Sequence, residues 1–275
     1  MSEPFPNSDI DIDEIVDDNG EVRRLGTLAP PADMVCSMPV FEETNEVMDM
    51  ADIIKLAKNP DKTPSEVMFG DEWMQNQNSH GSCAGYGGAG GFGKTRFKRG
   101  IRDKKRFSGA FLYSLVNGGR DNGSIPEDVL RKMLEVGVCL EETVPWDQIY
   151  PRQQSSKAKA EAALYKGLDG YVAKSIEGLY TGMARGLIAM IVVHAGRNFQ
   201  RLNDKGVAGV DAGSGNHAIH ADELVFEGGD LFMKGVNSWG LQYGQRGRAK
   251  LHRSSIEQPW RNHRMYLLGS TIEKT

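Results

Sequence analysis

The sequence predicts an α+β protein, with helices concentrated in its first half and antiparallel strands in its second. Helical spacing of apolar residues runs through 46–58, 108–115 and 124–137. Strand-like runs follow at 187–193, 217–226, 230–236, 248–253 and 265–268. Between the second and third of these runs stands Glu227-Gly228-Gly229, a hairpin signal.

The helices are justified by their ends. The pattern Glu46–Lys58 stops before Asn59-Pro60. Ser108 precedes Gly-Ala-Phe-Leu-Tyr-Ser-Leu115 as a helix start. Ser124-Ile-Pro-Glu-Asp128 opens the next with Ser at the cap, Pro early and acids in the first turn, and Gly137 stops it. Residues 154–185, Ala- and Lys-rich, are expected to be helical in two pieces. The chain accordingly divides into an acidic extension at 1–65, a helical part at 66–153 and a β-rich part at 154–275. Residues 1 to about 32 of the extension read either as a solvated acidic tail or as a prosegment or strap lying over a cleft.

Composition narrows the function. The chain has 275 residues, 39% hydrophobic and 25% charged, an ordinary globular balance. A net charge of −4 and the lack of a long basic run argue against nucleic acid as a partner. No apolar run approaches the ~18 residues of a membrane span, and Met1–Gly20 has no basic-then-apolar pattern of a secretory signal. Three cysteines, Cys36, Cys83 and Cys139, are too few and odd in number for a disulfide framework, which points to a reducing compartment. The expected location is cytoplasmic, or a virion if the source is a phage. No cofactor and no metal are expected.

The chemistry centres on Gln77-Asn-Ser-His80-Gly81-Ser82-Cys83. Gly81 and Ser82 allow a sharp turn, so Cys83 can open a helix whose aligned dipoles favour a thiolate. The Gln77 side-chain amide can donate to an oxyanion forming beside that sulfur. His217, 134 residues on, follows a Gly-Asn turn at the start of a strand. Asn237, 154 residues past Cys83, opens Asn-Ser-Trp239-Gly. A nucleophile needs a base, and the base needs something to orient it. His217 and His220 lie three apart on one strand and so point to opposite faces. The other histidines, 80, 194, 252 and 263, have no such context and read as structural or solvated.

These motifs, in this order, resemble the papain-like cysteine peptidases, whose local pattern is C-G-[SA]-C-[WY]; the similarity is closest to disulfide-poor microbial or phage members. Phe111-Leu-Tyr113, Gly137-Val-Cys139-Leu-Glu141 and Pro145-Trp146 extend the likeness. The resemblance implies a two-lobed fold, a helical left lobe and an antiparallel β-barrel-like right lobe with the active cleft between them. It implies a cysteine endopeptidase with Cys83 as nucleophile, His217 as base, Asn237 holding the imidazole and Gln77 in the oxyanion site. It also implies that Trp239 shields the His–Asn bond and that Ser82 and Asn216 line the substrate site. A glycine there pairs with bound peptide; Gly123 matches best, and Asn117-Gly118-Gly119 is the alternative register. His80 stands where secreted members carry a disulfide cysteine. Ala84 and Val236 depart from the family's aromatic and Lys. Cys139 reads as a small core residue.

Other readings use the same residues. One is a papain-fold component of a phage or secretion assembly, its site kept or idle, with a protein partner on the N-terminal extension. Another is an amidase of cell-wall peptides. Gly88-Ala-Gly-Gly-Phe-Gly93-Lys94-Thr95 fits the P-loop pattern of an NTPase, yet lacks the apolar strand before it and the unbroken helix after it. Lys94 and the basic run to Lys105 are therefore expected on a solvated face. The six glycines from Gly85 to Gly93 each cost ~1 kcal/mol in a helix interior. A helix there must be held by burial and close backbone packing.

Overall fold

A computed structural model describes residues 13–17, 19–59, 61–167, 169–269 and 271–273. The acidic residues 1–12, which carry part of the tail expectation, and Pro60 lie outside them. The chain begins with a hairpin, β1 (Asp13–Val16) and β2 (Val22–Leu25). Short helices α1 (Phe41–Thr44), α2 (Met50–Ala57) and α3 (Ser65–Met68) lead to the long helix α4 (Cys83–Lys98). Then come α5 (Gly109–Ser114), α6 (Pro126–Glu135) and α7 (Ser156–Ala162). The second half comprises β3 (Tyr165–Gly167), β4 (Gly170–Ala173), α8 (Ile176–Ala184), β5 (Ile188–Val193), α9 (Arg197–Gln200), β6 (His217–Glu227), β7 (Asp230–Val236), β8 (Arg248–His252), α10 (Ser254–Glu257), β9 (Met265–Leu268) and β10 (Thr271–Glu273).

Six of these strands form one sheet in the order β4-β9-β5-β6-β7-β8, every neighbouring pair antiparallel. The β6–β7 hairpin turns through Gly228 and Gly229, both at positive φ, as the sequence predicted. Every residue of β5 is buried because helices cover both faces of the sheet at that strand. On one face Ile191, Val193, Ile219 and Ala221 join Leu179 and Met183 of α8. On the other, Ile188, Met190 and Ala218 meet Phe92 of α4, Phe111 and Leu112 of α5 and Val129 of α6. Cys139 lies in this second cluster, where burial pushes its thiol up to about 12.

The glycine-rich helix forms because its neighbours come to its backbone. All residues from Cys83 to Arg96 are buried. A Cβ on Gly85 would overlap the Gly109 carbonyl of α5, and one on Gly90 would stand 2.5 Å from the His220 ring. Close packing thus replaces the missing propensity.

Three expectations are corrected. Residues 154–185 are not two helices alone: β3 and β4 stand between α7 and α8, because β10 and β9 are there to pair with them. Ser124 does not cap α6. Ile125 is the cap residue with Pro126 at the first position, and Ser124 has backbone partners of its own. Lys94 is not on a solvated face; it is fully buried and bonded to Asp222. Among the described residues no helix is long and apolar enough to cross a membrane.

Candidate active site

Cys83 is the first residue of α4, where unpaired amides and the helix dipole favour negative charge. Its sulfur is fully buried and shares a hydrogen bond with Thr27 Oγ1 at 3.1 Å. The backbones of Ala218, Gly26 and Ala84 lie beside the sulfur and favour its charged form, though burial outweighs them. Ala218 directly follows His217 on β6, so the strand that carries the imidazole passes beside the thiol.

The orientation of His217 can be deduced from its neighbours. Asn237 Oδ1 accepts from the Ser238 backbone N–H at 2.8 Å, which identifies that atom as the amide oxygen. The same oxygen lies 2.8 Å from His217 Nε2, so Nε2 is the protonated nitrogen. Nδ1 is then the bare acceptor, and it is buried with no hydrogen-bond partner among the described residues. Trp239 lies against the imidazole, centroids 4.8 Å apart at 32°, and Phe199 meets it edge-on. Burial lowers the His217 pKa to about 4 despite the Asn237 bond.

The chain's own N-terminal segment covers these residues. Gln77 Nε2 donates to the Arg24 carbonyl at 3.1 Å and to the His80 carbonyl at 2.7 Å. The Gly26 carbonyl accepts from Ser124 N at 2.7 Å, and Leu28 N donates back to Ser124 O at 3.0 Å. Between them Thr27 N donates to the Asn216 carbonyl at 3.1 Å. These bonds make a parallel bridge between Thr27 and Ser124. Gly26 is the only side-chain size that fits: a Cβ there would overlap the carbonyl of Gly81. Gly123, at φ +81°, lies beneath it and could carry no Cβ without meeting the Gly26 carbonyl at 2.5 Å.

Charged groups fasten this strap. Arg23 is buried, with Nε 2.9 Å from Asp17, Nη1 2.9 Å from Asn76 Oδ1, and Nη2 on Glu21. Arg24 reaches Asp121 at 3.0 Å and Glu14 at 3.0 Å. Asn216 Nδ2 donates to Asp13 at 3.1 Å.

The structure thus brings Cys83, His217, Asn237, Gln77, Asn216 and Trp239 to one place and departs from expectation in detail. The strap's backbone pairs with Ser124 rather than Gly123; the Asn117-Gly118-Gly119 turn is tied to Ile149 instead. Ser82 is buried with its hydroxyl unpartnered. His80 does have a partner, Asp121 at 3.1 Å. With the strap in place, burial raises the Cys83 thiol above its ordinary value, outweighing the Thr27 bond. An anionic sulfur is therefore not expected until water returns.

Three residues of the candidate site escaped sequence reasoning. Ser238 donates to Gln77 Oε1 at 2.6 Å and so aims the amide; it lay within the Asn-Ser-Trp-Gly motif but had no role. Asp121 accepts from Gly81 N at 2.9 Å and Tyr113 OH at 2.8 Å, bracing the turn before Cys83. Thr27 carried no signal at all.

No model of a known protein family and no curated protein sequence matches the chain. Solved structures do. Xylellain, a cysteine protease from Xylella fastidiosa, superposes with a TM-score of 0.66 at 16% identity, over 89% of this chain and 95% of its own. The procathepsin B S9 of Trypanosoma congolense gives 0.64 at 15% identity, over 91% and 86%. The proform of the ragweed pollen cysteine protease Amb a 11 gives 0.61 at 19%, over 78% and 68%. The chain has the papain-like fold, as the sequence motifs implied.

Proposed function

We propose that the protein is a papain-like cysteine endopeptidase whose N-terminal strap holds its groove closed. The reading rests on one observation above all. His217 is turned so that Asn237 takes Nε2, leaving a bare Nδ1 on the strand whose next residue, Ala218, lies beside the Cys83 sulfur.

In the closed chain the pair is stored as neutral thiol and neutral imidazole. When residues 24–28 leave, water re-enters and the cost of charging both groups falls. The thiol proton passes to His217 Nδ1, and the helix N-terminus steadies the thiolate. The sulfur attacks a peptide carbonyl, and the carbonyl electron pair moves onto oxygen. Gln77 Nε2, freed from Arg24, and the Cys83 N–H stabilise that oxyanion. As the C–N bond breaks, His217 returns its proton to the leaving amine, leaving a thioester. The imidazole then takes a proton from water, which hydrolyses the thioester and regenerates the thiol.

A papain-fold assembly component with an idle site is favoured by the extent to which the strap fills the groove. Opening the strap by Gly26→Val separates the two. The peptidase reading expects hydrolysis of unstructured polypeptide that Cys83→Ala abolishes. An opened chain that is alkylated at Cys83 yet turns over no polypeptide supports the idle site.

A further inference from the structure

Helix α4 faces the sheet with glycine. A Cβ on Gly87 would come 3.5 Å from the Ile219 backbone, one on Gly90 2.5 Å from His220 Cε1, and one on Gly91 2.5 Å from Leu268 Cδ1. Helices are ordinarily held against sliding by side chains seated in grooves between neighbouring side chains. A face of glycines offers few such ridges, Phe92 apart, so a further element is needed to fix how far α4 stands along β6.

That element is charged and buried. Lys94 lies eleven residues beyond Cys83 on the same helix, about 16 Å along its axis. Its Nζ is 2.6 Å from Asp222 Oδ2, and both side chains are fully buried. Asp222 stands five residues beyond His217 on β6, where the β6–β7 register shifts between Ala221 and Glu223. A bulge of this kind re-aims a side chain, here toward the helix. Arg248 of β8 holds the same oxygen at 3.0 Å and is itself braced by the Phe69 carbonyl at 2.7 Å. Lys98 Nζ donates to the Asp222 carbonyl at 2.7 Å. His220 completes the setting, packed on Gly90 with Nε2 unpartnered, while Glu223 beyond the bulge binds Lys62 and Lys234.

We propose that Lys94, Asp222 and Arg248 are positioning residues that set the register of α4 on β6, and so place the Cys83 sulfur opposite His217. This rests on the peptidase reading of that pair. Buried ion pairs add little net stability because desolvation offsets attraction, and in some proteins they serve instead to specify one arrangement among several of similar packing. The helix meets the strand along its length, from the Cys83 sulfur beside Ala218 through Gly87 on Ile219 and Gly90 on His220 to this cluster at the far end. Loosening the far end lets the near end drift, which matters because ångström-scale misplacement is costly in catalysis.

The test uses the full chain carrying Gly26→Val, so that the thiol is reachable, and follows the rate of iodoacetamide alkylation at Cys83 from pH 4 to 9. The parent should react well below the ordinary thiol pKa of ~8.5, the mark of a thiolate paired with imidazolium. A charge-free variant, Lys94→Met with Asp222→Leu and Arg248→Leu, should fold with a melting temperature near the parent's yet lose about tenfold or more in rate at pH 6, its profile moving toward the ordinary thiol. A folded variant with the parent's profile overturns the proposal, since a merely space-filling cluster would leave the profile alone. If the triple variant fails to fold, Asp222→Asn, which keeps size and removes charge, is read by the same two outcomes. A parent with no reactivity at low pH overturns the Cys83–His217 pairing itself and the positioning role with it, and that failure shows before any cluster variant is made.

Discussion

Gln77 Nε2 donates to the carbonyl of Arg24 at 3.1 Å, so the amide assigned to an oxyanion is occupied by a carbonyl of the same chain. The strap gives hydrogen-bond partners to Gln77, Ser124 and Asn216 as a bound peptide would. Three glycines, Gly26, Gly81 and Gly123, meet where it crosses the nucleophile.

That crossing makes Gly26 a latch. Gly26→Val cannot seat without moving the Gly81 carbonyl, so the strap should lift and Cys83 should be alkylated at least about tenfold faster, the effect of ~1.4 kcal/mol in the closed–open balance. Labelling followed by mass spectrometry reads this directly. An unchanged rate means that the strap does not limit access.

In the opened chain, Cys83→Ala should remove all detectable hydrolysis of unstructured polypeptide. Cys139→Ala should retain most of it, because Cys139 sits in the core with a thiol pushed up to about 12. Equal losses in the two would count against the assignment of the nucleophile.

Gln77→Ala should lower kcat by roughly 10²–10³, the usual cost of one oxyanion donor. Alkylation of Cys83 should change little, since that reaction develops no oxyanion. Ser238→Ala removes the hydroxyl that holds Gln77 Oε1 and should cost about tenfold in kcat with KM nearly constant. A fall in alkylation as large as the fall in kcat would show that both residues act on the thiol instead.

Stability should depend on pH through buried histidines. His217 titrates at about 4 in the folded chain against 6.5 for the free side chain, and burial holds His220 well below its ordinary value. A depressed folded pKa means that the unfolded chain takes up the proton first. Stability is therefore complete above pH 6.5 and falls as pH drops toward 4, by roughly 3 kcal/mol for His217. The carboxylates Asp121, Asp222 and Glu223, all lowered, add to this loss as pH falls through their ordinary values of 4.5 for Glu and 3.8 for Asp. Urea midpoints at pH 7.5, 6 and 4.5 measure the slope; equal midpoints would mean that His217 is solvated.

The candidate catalytic residues were legible because their signals are local. Gly81-Ser82 before Cys83, Gly215-Asn216 before His217 and the Asn-Ser-Trp-Gly run each describe one turn of chain and the side chain it presents. Strand-like runs and hairpin glycines likewise marked β5 to β9 within a residue or so. Composition also implied that a glycine-rich helix survives only by burial, which α4 shows.

Burial partners are another matter. Lys94 looked solvated because Asp222 lies 128 residues away and nothing near Lys94 announces it. Ser124 looked like a cap until Gly26 and Leu28, from the other end of the chain, claimed its amide and carbonyl. Burial, which raises the Cys83 thiol despite the Thr27 hydrogen bond, also comes from residues distant in the chain. Local sequence determined which groups this protein presents; long-range packing decided which of them meet, and water excluded or admitted by that packing sets their charge.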